Sequence, residues 1–141
     1  MPVSGLHHYT LRCAPEELPA LHDFYTRVIG LTVGDRPEIP APGYWLYADG
    51  QTIVHLYAHL PEGERSAQGP VGSSSVHVTG PLDHISFRAH GLAAMRAHLA
   101  AQGVASTEAP VPGWPLHQVF VHDPKGLKIE MTFDLTAEGG V

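Results

Sequence analysis

The sequence predicts an α+β fold built from two repeated halves, each reading strand, helix, strand, strand, strand. Three observations predict it. The stretch at residues 6–12, LHHYTLR, returns at residues 82–88 as LDHISFR. A glycine closes a helical pattern at Gly30 and another does so at Gly103. Tight-turn residues, Asp49-Gly50 and Asp123-Pro124-Lys125-Gly126, separate the last two strands of each half. An internal repeat of this kind constrains the fold more than any local propensity does.

Each element has a local reason. Side chains alternate along a strand, so Leu6, His8, Thr10 and Arg12 share one face of the first strand (residues 6–13). Tyr9, Leu11 and Cys13 share the other, apolar face. Pro15, Glu16 and Glu17 mark a helix start, and Leu18, Leu21, Phe24 or Tyr25, and Val28 recur at helical spacing. Pro19 must lie in the first turn. Residues 31–34 read as a short strand, and residues 36–43, RPEIPAPG, as a stiff loop. Residues 44–48 and 51–58 flank the Asp-Gly hairpin signal. The second half repeats this order. Its strands fall at 82–89, 104–106, 116–122 and 127–133, and its helix carries Leu92, Met95 and Leu99 on one face. Residues 108–115 are read as a proline-containing loop and those after Asp134 as a loose tail. The whole is expected to be one domain, residues 1–141, with module one at about 4–60, module two at about 81–135, and a linker at 61–80. That Gly- and Ser-rich stretch reads as a spacer first and as a lid second.

Composition narrows the function classes. A net charge of −6, with eight Lys and Arg against fourteen Asp and Glu, argues against an electrostatic nucleic-acid binder. The single cysteine, Cys13, excludes an internal disulfide, and its strand phase places it in the core. No signal peptide or membrane-length apolar run is read, so a cytoplasmic location is expected. Eleven histidines are many for 141 residues and make a metal site worth testing.

The chemistry-bearing pattern lies on the repeated strands. His8 and His84 are 76 positions apart, and His55 and Glu130 are 75 apart. Glu130 shares a strand face with Lys128 and Thr132, opposite the apolar Ile129, Met131 and Phe133. His55 shares a face with Ile53 and Tyr57. If the first and last strands of both halves bend toward a common hollow, His8, His55, His84 and Glu130 converge there. Two histidines and a carboxylate with open positions suit Fe(II) or another divalent ion. Taken singly, each histidine is more often a packed or solvated side chain; the repeat is what favours ligation. His117, at the start of a strand, is a candidate acid/base, with a plain strand-end histidine as the equal alternative. Tyr57, with Arg12 or Arg88, is a candidate for orienting an anionic or phenolic substrate, or else part of a polar wall. Trp45 and Trp114 line a pocket or pack in core and loop. His7 is expected on the core side, and His22, His90, His98 and His122 at the surface.

The stretches LHHYTLR, FYTRVIGL and HQVFVHDPKGLKIEMTF together resemble the vicinal oxygen chelate superfamily. That superfamily includes glyoxalases, fosfomycin-resistance proteins, bleomycin-binding proteins and extradiol dioxygenases. The resemblance covers nearly the whole chain. It implies two βαβββ modules forming a mixed-sheet cleft around one metal ion, and commonly a homodimer. Residue by residue it implies His8, His84 and Glu130 as ligands, with His55 at the fourth position. Glyoxalase I-like members carry a glutamate where this chain has His55. Extradiol dioxygenases place a tyrosine where it has Phe120, and fosfomycin-resistance enzymes place basic residues after the final glutamate. The resulting expectation is a metal-dependent enzyme acting on a small molecule, dioxygenase-like because the ligand set holds one carboxylate. Its substrate would be catecholic or enolisable and would chelate through two oxygens. The ion would be Fe(II) first, with Mn(II), Ni(II) or Zn(II) as alternatives. A glyoxalase-like lyase or isomerase is the second reading, and a non-catalytic drug-binding resistance protein the third.

Overall fold

The computed structural model describes residues 5–59 and 82–138. These form two compact units, one in each half of the chain. Each unit is a βαβββ module with one four-stranded mixed sheet. The stretch read as linker or lid lies outside the described residues.

Module one consists of β1 (Tyr9–Arg12), α1 (Leu18–Asp23), β2 (Thr32–Gly34), β3 (Gly43–Ala48) and β4 (Gln51–Tyr57), with sheet order β1-β4-β3-β2. A 3₁₀ turn at Pro15–Glu17 leads into α1, where the buried Glu17 carboxylate accepts from the Ala14 N–H at 2.7 Å. This reciprocal contact replaces the Ser or Thr cap that the sequence lacks. The helix continues past α1 as a widened π turn over Phe24–Val28 and stops at Gly30, whose φ of +93° suits a glycine at a helix end. Leu21, Tyr25 and Val28 are fully buried or nearly so and share the core with Cys13, Leu46, Val54 and Leu56. Burying one such side chain contributes about 1.5–3 kcal/mol. The β3–β4 hairpin turns at Asp49 and Gly50, both with positive φ, as the two-residue turn requires.

Module two repeats the plan with β5 (His84–Ala89), α2 (Leu92–Ala101), β6 (Thr107–Pro110), β7 (Leu116–His122) and β8 (Lys128–Asp134), in sheet order β5-β8-β7-β6. Ile129, Met131 and Phe133 of β8 and Val119 and Val121 of β7 are buried on one face, with Leu92 and Leu99.

Register makes the repeat exact to the residue. In module one Thr10 pairs with His55, and His55 with Trp45. In module two Ser86 pairs with Glu130, and Glu130 with Phe120. The alternation read from sequence therefore holds on β1, β4, β5 and β8: the helix-facing side is apolar, and the other side carries His55, His84 and Glu130, with His8 one residue before β1.

Four details differ from the sequence reading. The first strand of each half starts later than expected, at Tyr9 and His84. The strand placed at 104–106 lies at Thr107–Pro110 and runs into the stretch read as loop. Pro110 is tolerated because β6 is an edge strand, so its missing N–H breaks no ladder. The tail after Asp134 is tethered through Glu138. Its carboxylate accepts from Gly91 N–H at 2.9 and 3.0 Å and from Leu92 N–H at 3.1 Å, capping α2 in place of the side-chain cap that the helix lacks. His7 is exposed rather than turned to the core, because regular strand geometry begins only at Tyr9.

Candidate metal centre

Module two presents an ordered histidine–carboxylate pair. His84 Nε2 lies 3.7 Å from Glu130 Oε1. Two bonds of about 2.1 Å to one ion at a tetrahedral angle set their donors about 3.4 Å apart, so the spacing suits a shared cation better than a direct hydrogen bond. The other ring nitrogen, Nδ1, donates to Asp83 Oδ2 at 2.7 Å, and Lys128 Nζ holds the same oxygen at 2.9 Å. The Lys128 ammonium, and then His84, hold the Asp83 carboxyl down to about 2. With Nδ1 protonated against Asp83, Nε2 keeps its lone pair on the Glu130 side, which is the orientation a metal-binding imidazole needs. Glu130 is buried and accepts from Thr132 Oγ1 at 2.9 Å, and Thr132 is itself 2.9 Å from Ser86 Oγ. One direct hydrogen bond leaves a buried carboxylate with spare acceptor capacity.

Module one presents a stack. His55 lies between the Trp45 indole, with ring centroids 4.0 Å apart and 4° between planes, and the His8 imidazole, at 3.9 Å and 20°. His55 is 8% exposed, and its Nε2 is buried without a hydrogen-bond partner. Burial, and then the positive charges of His8, His7 and Arg36, lower its pKa to about 4. His55 is therefore neutral at pH 7, as a ligand or a hydrogen-bonding wall must be. His8 is exposed, and its Nδ1 is 2.9 Å from His7 Nδ1. The neighbour preceding each repeated histidine thus touches its Nδ1, a histidine in module one and an aspartate in module two. Sequence alternation missed both contacts, since adjacent residues of a regular strand face apart. The signal available was the shared position, one residue before each repeated histidine.

The donors present, imidazole and carboxylate with an aspartate behind one imidazole, are those that divalent iron, manganese, nickel and zinc accept. Each module brings its two candidates together: His8 with His55, and His84 with Glu130. Among the described residues no group of three or more His, Cys, Asp and Glu is arranged to hold an ion.

Tyr57 lies on the same face as His55 and borders a hollow of about 570 Å³ together with Thr10, Arg12, Arg36, Ile39, Trp45 and Leu56. His117 lies elsewhere. It pairs with Phe133, so it stands on the helix-facing side of its sheet, opposite Glu130. Its Nε2 is 2.7 Å from Glu108 Oε2, which also pairs with Arg96 of α2 at 2.7 Å. That ion cluster fastens the helix to the edge strand, and the sheet itself lies between His117 and the face that carries Glu130. Trp114 is 68% exposed and takes no part in the stack. Arg36 was not singled out from sequence, because a loop arginine carries no periodic signal.

No helix among the described residues is long and apolar enough to cross a membrane. Comparison with known proteins agrees with the module architecture. The chain is 28% identical over 134 residues, covering 92% of its length and 70% of the relative's, to "Glyoxylase I 4" of Arabidopsis thaliana. Among solved structures it superposes on a glyoxalase family protein of Bacillus anthracis with a TM-score of 0.69 and 18% identity, covering 94% and 96% of the two chains. It superposes on TnmS3, an antibiotic binding protein from Streptomyces, with a TM-score of 0.65 and 20% identity, covering 95% and 98%. At these identities the structural likeness shows the fold. The family model described as Glyoxalase/Bleomycin resistance protein/Dioxygenase superfamily matches residues 5–131, and the chain belongs to that superfamily.

Proposed function

We propose that this chain is a metal-dependent enzyme acting on a small molecule that chelates through two neighbouring oxygens. His8, His84 and Glu130 would hold the ion, with His55 at the fourth position. The observation that carries the reading is the Asp83–His84 contact, which leaves His84 Nε2 facing the buried Glu130. The preferred ion is Fe(II), because two imidazoles and one carboxylate leave open positions for a chelating substrate. A bound divalent ion supplies Lewis acidity that stabilises negative charge on the substrate oxygens.

The chain's own groups do the rest. Asp83 and Lys128 fix the His84 ring, and Thr132 fixes Glu130. The Trp45–His55–His8 stack forms a rigid aromatic wall. Tyr57 borders the adjacent hollow, where its phenol can orient a substrate oxygen. His117 is not part of this proposal. The favoured outcome is dioxygenase-like chemistry on a catecholic or enolisable substrate. A lyase or isomerase of the glyoxalase kind is the second reading, favoured by the Arabidopsis relative. A small molecule is the partner either reading calls for, and a homodimer is the assembly proposed.

The test is metal analysis followed by two assays. The purified chain, reconstituted with Fe(II), is given catechols while oxygen uptake is followed. Reconstituted with Zn(II), Ni(II) or Mn(II), it is given thiol adducts of α-ketoaldehydes. Oxygen uptake with the iron form supports the first reading, and isomerisation of the adducts supports the second. Failure to bind any divalent ion, with small-molecule binding retained, would assign the chain to the non-catalytic binding proteins instead.

A further inference from the structure

We propose that the hollow of module one binds the acidic group of a small organic anion through Arg12 and Arg36, with the ligand's apolar part against Trp45 and Ile39. This deepens the function proposed above by naming a substrate class, and it rests on that reading only for what happens after binding. Two arginines line the hollow, and no carboxylate does. Arg12 is exposed on β1, one alternation beyond Thr10, on the face that carries His55. Arg36 reaches the same hollow from the loop after β2. Its Nη2 donates to Ala41 O at 2.8 Å, while its Nε is buried without a hydrogen-bond partner. Among the described residues neither arginine forms an ion pair. In a chain of net charge −6, two uncompensated guanidinium groups facing one hollow are a local reversal of sign.

The repeat supplies an internal control. The corresponding hollow of module two, about 350 Å³, is lined by Ser86, Arg88, Leu116, Thr132 and Asp134. Ser86 and Arg88 take the places of Thr10 and Arg12, but there Asp134 lies beside the arginine and a second arginine is absent. The two modules therefore offer the same backbone scaffold with different electrostatics: the module-two hollow pairs its one arginine with a carboxylate, and only module one has an excess of positive charge for an anion. Guanidinium forks match the planar two-oxygen edge of a carboxylate and the oxygens of a phosphate or phosphonate. Trp45 and Ile39 add apolar lining, which suits an aromatic or short aliphatic acid over a bare inorganic anion.

The experiment uses the full chain stripped of metal with a chelator, so that loss of the metal reading leaves it intact. Trp114→Phe makes Trp45 the single tryptophan, excited selectively above the tyrosine band, and the exposed Trp114 can be replaced with little effect on the fold. Benzoate, phenylphosphonate, inorganic phosphate and neutral benzamide are titrated in turn. Saturable change of Trp45 emission with benzoate or phenylphosphonate is expected, and which of the two binds tighter separates carboxylate from phosphonate ligands. Benzamide and inorganic phosphate should bind about tenfold weaker or not at all. Arg12→Gln should weaken the anion about tenfold, Arg36→Gln similarly, and Arg88→Gln by less than about twofold. Arg12 is exposed on its strand, so its variant keeps the test valid if Arg36→Gln loosens the loop. Equal binding of benzamide, an equal loss in Arg88→Gln, or no saturation with either organic anion overturns the proposal.

Discussion

Replacing His55 with Phe should remove an acid sensitivity built into the core of module one. In the unfolded chain this histidine takes a proton near 6.5, whereas in the fold it does so only near 4. Between those values the unfolded state binds more protons, so stability falls as pH drops through 6.5 and the loss is complete only below about 4. At about 1.4 kcal/mol per unit, the two units of this interval above pH 4.5 are worth about 2–3 kcal/mol. Phe keeps a ring between Trp45 and His8 but carries no proton. Urea unfolding of the metal-free protein at pH 7.5 and pH 4.5, for wild type and His55→Phe, isolates the effect, because every other titrating group is common to both. Wild type should lose about 2–3 kcal/mol more than the variant over that interval. A pH dependence equal in the two proteins would refute the buried, stacked placement of His55.

Three further perturbations have defined outcomes. Asp83→Ala should weaken divalent-ion binding by about 10–100-fold, measured by calorimetric titration, because His84 loses the acceptor that sets its tautomer; unchanged affinity would remove Asp83 from the site. Glu138→Ala should cost about 1 kcal/mol in thermal unfolding by stripping α2 of its N-terminal carboxylate, and an unaltered midpoint would show that the tether contributes nothing. Gly43→Ala should cost about 2 kcal/mol or more, since an added Cβ would run into the Leu56 carbonyl oxygen and crowd Arg36. A folded Gly43→Ala variant of wild-type stability would contradict the strand packing at the rim of the hollow.

The repeat was readable because two independent signals coincide. Alternation placed His55, His84 and Glu130 on the non-helical faces of their strands, with His8 stacked on His55 just before β1, and glycines at 30 and 103 marked where the helices end. Both signals arise from backbone geometry, which depends on short-range sequence. The rest depends on where strands begin and on contacts between distant residues. His7 and Asp83 sit just outside regular strand geometry, so the period-two rule assigned them to the wrong side or passed them over. His117 obeyed the alternation but lies on the helical side of its sheet, a point that pairing with Phe133 decides. Strand β6 was hidden by Pro110, which reads as loop unless the strand is known to be an edge. The caps from Glu138 and the loop arginine Arg36 are long-range or aperiodic, and nothing in their local sequence announces them.

The proposed metal centre requires that His84 and Glu130 together hold a divalent ion. Calorimetric titration of the chelator-stripped chain with Fe(II) under anaerobic conditions, and with Mn(II), Ni(II) and Zn(II), tests it most directly, with His84→Ala and Glu130→Gln measured alongside and their folding checked by circular dichroism. A single ion should bind each wild-type chain and be lost from each folded variant. Wild-type affinity retained in both variants, or no ion bound by the wild-type protein, would contradict it.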